Sequence, residues 1–274
     1  MGGFAGFLKF IQTTMTWPAL YGWYHFLWLA LMLGGCVLVF CLRKRITPRA
    51  VNYILLTMGV TLIVLEILKQ LAFGFDFAES GAIISTFRWE FFPFQFCSTP
   101  MYLMLLAGIM RRGKVYEALI AYLATFALIG GLVVMIYPGD VFHDYILINF
   151  QTMLWHSSMV VIAFMLLCTR SVKFNYRTLL KALIVFVVML AIALVMNIVV
   201  HQFNPDQTFN MFFISPYQPC TLPVLSIIYT LVPWIIFFMI YVFGFTLAAG
   251  IVLGLAWLCE RLTGRVHTDA KASK

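Results

Sequence analysis

Charge is what this chain has least of. Only 10% of its 274 residues are Asp, Glu, Lys or Arg, against about 25% in an ordinary soluble domain. With 63% hydrophobic residues and a mean hydropathy of +0.98, no water-soluble fold could bury so much apolar surface. Acidic residues are scarcer still, 10 against 18 basic ones. There is no Cys-x-x-Cys and no Cys/His spacing that would hold zinc, and the six cysteines fall at irregular positions. Neither a metal site, a cofactor nor a disulfide scaffold is therefore expected. Residues 1–20 hold one Lys and no compact apolar core, so no cleavable leader is expected. Internal repeats and linkers are absent as well, which speaks against the inverted-repeat transporters.

What is there is a set of long apolar runs. Seven stand out, at roughly 21–42, 50–73, 91–110, 115–136, 147–169, 178–200 and 223–258. A crossing helix needs about 20 apolar residues. Strands of a membrane barrel would instead alternate polar and apolar residues in roughly ten-residue segments. The expected fold is all-α: a polytopic membrane bundle of seven transmembrane helices.

The loops alternate in charge. Arg43, Lys44, Arg45 and Arg49 follow the first run; Asp76, Glu79, Arg88 and Glu90 follow the second; Arg111, Arg112 and Lys114 follow the third. Asp140 and Asp144 come next, then Arg170, Lys173 and Arg177, then Asp206 alone, then Arg261 and Arg265. Cytoplasmic loops collect Lys and Arg, so the N-terminus is expected outside and the C-terminus in the cytoplasm. The basic residues thus report orientation and not nucleic-acid binding. Residues 1–20 are expected to form an interfacial segment, 21–262 the seven-helix domain and 263–274 a cytoplasmic tail.

Polar side chains within the runs gather at one depth. Glu66, Lys69 and Gln70 share one face near the outer end of the second run. Gln95, Cys97, Ser98 and Thr99 open the third. Tyr145, Asn149, Thr152 and His156 follow helical spacing in the fifth, and Asn197 and His201 close the sixth. Such groups are costly in a bilayer and face a protein interior or a watery cavity. Interhelical hydrogen bonding is the plainer explanation for any one of them. Four helices supplying them to the same half of the membrane indicate a cavity.

Cys97 sits in FFPFQFCSTPMY, between Pro93 and Pro100. Pro100 has no amide, so a helix running through it leaves the Phe96 carbonyl unpaired. Alternatively Thr99 caps a helix whose first residue is Pro100. Cys97 then lies just ahead of an electropositive helix end, whose free amides near Ser98–Met101 could hold an oxyanion. His156 is the candidate general base. His143 in the outer loop and His201 at the membrane surface compete for that role. Glu66 either orients an imidazole or is neutralised by Lys69. Cys220, within SPYQPCTLP, leaves a Cys97–Cys220 disulfide open.

The run FPFQFCSTPMYLMLL, a basic turn, GGLVVMIYP, an acidic loop and NFQTMLWHSSM together resemble the YwaF-type integral membrane proteins of bacteria. These are similar to a vertebrate transmembrane acyltransferase that remodels ether phospholipids. The likeness covers about residues 50–245 and implies a thioester on Cys97, assisted by His156, with phospholipids and lysophospholipids as partners. It also implies a bacterial cytoplasmic membrane. If water replaces the lysolipid, the enzyme is a hydrolase. A transporter, a lipid-binding protein without catalysis and a thiol redox protein are the competing classes.

Overall fold

The computed structural model describes residues 2–139 and 141–262; Asp140, Arg265 and the expected tail at 263–274 lie outside the described residues. Helix α1 (Gly3–Ile11) precedes α2 (Trp23–Leu42) and α3 (Pro48–Gly74). A small hairpin, β1 (Phe75–Phe77) and β2 (Ile83–Ser85), leads to α4 (Thr99–Ile109). Then come α5 (Lys114–Ala124), α6 (Phe126–Ile136), α7 (Ile146–Cys168), α8 (Tyr176–Phe203), α9 (Leu225–Leu231) and α10 (Trp234–Leu262).

Six stretches among the described residues are long and apolar enough to cross a membrane: α2, α3, α5 with α6, α7, α8 and α10. The third apolar run is shorter than its hydropathy suggests. Only α4 is helical there, about 16 Å long at 1.5 Å per residue. Pro100 falls in its first turn, where the missing amide would have had no partner anyway. The fourth run is a bent pair, because Thr125 leaves helical geometry between α5 and α6. Its hydroxyl donates to the Ala121 carbonyl at 2.7 Å. The last run is interrupted ahead of α10 at Val232–Pro233, as expected of a residue that cannot donate to the helix ladder.

Helix α7 is the centre of the bundle. Its membrane-length stretch is 72% buried, whereas those of α2 and α10 are 17% buried. The peripheral helices keep large apolar side chains on the outside, such as Leu33 and Val37 on α2 and Phe243 and Leu247 on α10. That surface suits lipid. The termini of the helices divide by charge. Arg43, Arg45, Arg112, Arg170, Lys173 and Arg261 stand at one end with Glu117 and Glu260 paired among them, and Asp76, Glu79, Glu90 and Asp206 stand at the other with Arg88. The segment ahead of α2 is tied to the acidic end. Leu8 and Ile11 are buried with Ala72 and Ile148, and the Gln12 amide donates to the Ala72 and Phe75 carbonyls.

The tightest helix crossing is α3 on α4. A Cβ on Gly59 would lie 2.6 Å from the Leu105 amide nitrogen, and one on Gly108 would lie 2.6 Å from the Leu56 nitrogen. Pairing 59 with 105 and 56 with 108 makes the two helices antiparallel. Gly108→Val therefore drives a side chain into backbone. It is expected to cost about 3 kcal/mol, the upper part of the overpacking range, seen as a lower thermal midpoint of the detergent-purified protein. Gly34→Ala, which meets open space, is expected to leave the midpoint unchanged or to raise it.

Candidate functional site

Two helices and one irregular segment line a cavity of about 90 Å³. From α3 come Glu66 and Lys69. From the turn ahead of α4 come Cys97 and Ser98. From α7 come Gln151, Thr152, Trp155 and His156. The cavity is deep, since His156 is ten residues into α7, about 15 Å along its axis.

The turn carrying Cys97 is non-helical backbone among apolar helices, so its polar groups need partners. Side chains of three helices supply them. Gln70 donates to the Phe91 carbonyl at 2.7 Å, Tyr102 to Pro93 at 3.0 Å and Trp155 to Cys97 at 2.6 Å. The Phe96 carbonyl, orphaned by Pro100, accepts the Thr99 hydroxyl at 3.2 Å. Helix α4 begins here, one residue earlier than expected: Thr99 is its first residue and not its cap, Pro100 is its second, and Ser98 stands at the cap position without a side-chain bond. One expectation fails here. The Ser98 and Thr99 amides donate to the Gln95 carbonyl, Met101 donates to Ser98, and Pro100 has no amide. The backbone at 98–101 therefore offers no free oxyanion donors. Besides the Gln151 and Trp155 N–H groups, which are already bonded, the donors that line the cavity are the Ser98 and Thr152 hydroxyls and the Lys69 ammonium.

Glu66 is bound to Lys69, not to an imidazole. Its Oε1 accepts Lys69 Nζ at 2.8 Å and Gln70 Nε2 at 2.7 Å, and its Oε2 accepts Gln151 Nε2 at 3.2 Å. His156 is held by its own helix: Nδ1 lies 2.7 Å from the Thr152 carbonyl. A carbonyl only accepts, so Nδ1 carries the proton and Nε2 of the neutral ring keeps its lone pair. That Nε2 is buried and has no hydrogen-bond partner. His25, fully buried on α2, differs: Nε2 contacts the Met135 carbonyl at 2.8 Å and Nδ1 accepts from the Tyr21 amide at 3.3 Å. Gly131 on α6 lets α7 come close, since a Cβ there would lie 2.9 Å from the His156 carbonyl.

The other polar residues singled out from the sequence lie outside the cavity. Gln95 spans to the Asn210 carbonyl and the Phe212 amide. Asn197 braces both backbone groups of Met211. Asn149 does the same for His143. Thr99 packs towards Tyr122. His143 pairs with Asp144 and has the Phe73 ring 5.0 Å away, and His201 stacks on Tyr217 at 3.9 Å. Neither histidine lines the cavity. Cys97 and Cys220 are both free thiols with no disulfide between them. Gln151 and Trp155 were missed by sequence reasoning. They stand i, i+4 apart beside Thr152 and His156, so a helical face drawn one residue wider would have included them. No three His, Cys, Asp or Glu side chains among the described residues converge as metal ligands.

A helical, multi-pass membrane protein with one polar cavity sunk between its central helices is the class these features define. The model of the TMEM164 family matches residues 20–257, and the chain belongs to that family. No curated protein and no solved structure matches it.

The Glu66–Lys69 pair makes a stability prediction. Their side chains are 5% and 16% exposed. Glu66→Leu strands the Lys69 ammonium and is expected to cost about 3 kcal/mol, as for other broken buried pairs. Replacing both, Glu66→Leu with Lys69→Met, is expected to recover most of that loss in the thermal midpoint.

Proposed function

We propose that this protein is a membrane-embedded phospholipid acyltransferase that works through an acyl-thioester on Cys97. The observation that carries the reading is the shared cavity of Cys97 and His156, in which the histidine holds a buried, unpartnered Nε2. A base with one nitrogen fixed and the other vacant is the arrangement that nucleophile activation requires. The resemblance of the Cys97 and His156 segments to the YwaF-type proteins and the vertebrate acyltransferase supports the same chemistry.

His156 Nε2 takes the proton from Cys97 Sγ, and the thiolate attacks the ester carbonyl of a donor phospholipid. Negative charge grows on the carbonyl oxygen, where the Lys69 ammonium and the Ser98 hydroxyl serve as donors. The intermediate collapses with breakage of the ester C–O bond. The leaving lysophospholipid oxygen takes the proton from the imidazolium, and the acyl chain stays on Cys97. A lysophospholipid hydroxyl then gives its proton to His156 and attacks the thioester; the C–S bond breaks, and the leaving Cys97 thiolate takes the proton back from the imidazolium. Water in place of the hydroxyl makes the step hydrolysis. Glu66 keeps Lys69 in position, and Trp155 fixes the turn that bears Cys97.

The reading includes a topology. The basic end of the bundle lies in the cytoplasm, by the positive-inside rule. The chain crosses seven times, with α4 and the irregular segment ahead of it as the third crossing. The N-terminus is outside, the C-terminus inside, and the membrane is a bacterial cytoplasmic membrane. A cleavable reporter placed at each terminus in turn is expected to be protease-accessible in intact cells only at the N-terminus.

Intact-mass spectrometry after incubation with phospholipid tests the chemistry. The expected result is a fatty-acyl adduct on Cys97, cleared by hydroxylamine and absent in Cys97→Ala. His156→Ala is expected to slow its formation by about 10²–10⁴-fold, the usual worth of general-base help. A thiol left unmodified by every phospholipid tried would replace catalysis with lipid binding or transport.

A further inference from the structure

At the basic end of the bundle, away from Cys97, α2, α6, α7 and α10 enclose an apolar cleft of about 410 Å³. Leu128, Leu132 and Phe164 line it together with the charged residues Arg43, Arg170 and Glu260, of which Arg170 and Glu260 form an ion pair, so that Arg43 carries the cleft's excess charge. The Arg43 guanidinium lies over the Phe40 ring at 3.8 Å, and one of its N–H groups donates to the Phe40 carbonyl. Its Nε is buried with no acceptor. A buried donor on a charged group is costly to leave unpaired. Arg170 also lines a second, polar cavity of about 280 Å³, shared with Lys173, Arg177, Lys181 and Glu117. Glu117 forms its ion pair with Lys181; Lys173 and Arg177 are exposed in the same cavity, Arg177 resting on the Tyr176 ring and hydroxyl, and cations outnumber the one carboxylate there.

An apolar cleft adjoining a net-positive polar cavity, with an unsatisfied guanidinium N–H at the cleft wall, has the chemistry of an anionic amphiphile. We propose that this end of the protein binds one anionic phospholipid, with an acyl chain in the cleft, the phosphate on Arg43, and the basic cavity that adjoins the cleft at Arg170 adding its positive field. Phosphate oxygens supply the acceptor that the guanidinium lacks. The basic cavity favours a headgroup of net negative charge over a zwitterionic one. The site is separate from the Cys97 cavity and does not depend on its chemistry.

The test uses the full-length Cys97→Ala protein, so that acyl transfer does not intervene. It is purified in mild detergent and mixed with equal amounts of dioleoyl phosphatidylglycerol and dioleoyl phosphatidylcholine. Retained lipid is read by native mass spectrometry. Phosphatidylglycerol is expected to be retained about tenfold in preference, the worth of one charge-assisted hydrogen bond. Arg43→Gln is expected to abolish that preference and the double change Lys173→Gln, Arg177→Gln to reduce it. Leu132→Trp, which fills the cleft, is expected to lower retention with every charge intact. Equal retention of the two lipids, or an undiminished preference in Arg43→Gln, overturns the proposal. So does competition by glycerol phosphate as strong as that of the lipid, because the cleft would then play no part. Should Arg43→Gln fail to fold, the exposed Lys173 and Arg177 pair decides the matter.

Discussion

Carbonyl groups set down among apolar helices must find donors, and the segment from Phe91 to Thr99 shows what that demands. Two prolines deny it regular helix, yet it lies between α3, α4 and α7. In hydrocarbon each unpaired backbone group costs several kcal/mol. Gln70, Tyr102, Trp155 and Thr99 each spend a donor on this one stretch. The arrangement of the site follows from that. Trp155 brings α7 to the Cys97 turn, and the next residue, His156, arrives in the same cavity. Gln70 brings the turn to α3, and Glu66, one helical turn earlier, arrives with Lys69.

Much of this polar chemistry is structural, and the sequence alone could not sort it. Gln95, Asn149 and Asn197 have the composition and depth of cavity residues, but each occupies both halves of its amide on backbone. An amide's partners depend on where loops fold back, and nothing in a helical spacing records that. Residues on the α3 and α7 faces were more legible, because periodicity directly encodes a helical face. Even there the width of the face was underestimated, and Gln151 and Trp155 fell just outside it. The free amides expected at the start of α4 were consumed by a tight turn onto Gln95 and Ser98, which local sequence does not announce.

The fold was legible wherever hydropathy and charge decide it. Long apolar runs became α2, α3, α7 and α8, and loop charges of opposite sign separate the two ends of the bundle. Interruptions were harder to see. Thr125 breaks the fourth run with no proline or glycine beside it; its hydroxyl bonds back to Ala121, but the same bond from Thr246 to Val242 leaves α10 continuous, so local sequence does not mark the break. The backbone approach of α3 to α4 depends on Gly59 and Gly108 being opposite one another. Glycine is common enough in membrane helices that neither position draws notice until the pairing is known.

That crossing also governs how the cavity could be entered. With backbone in contact with backbone, α3 and α4 behave as one stiff wall, carrying Glu66, Lys69 and the Cys97 turn together. The opposite wall is α7. Two side-chain hydrogen bonds stitch wall to wall: Gln151 to Glu66 and Trp155 to the Cys97 carbonyl. On the acyl-transfer reading, an ester entering this seam gives acceptors to the Gln151 amide and the Trp155 indole, while a hydroxyl or water must supply the donors that the Glu66 and Cys97 oxygens lose. Admission and unfastening then become a single event, and a hydrocarbon chain without such groups, which makes up most of the surroundings, is turned away at the seam.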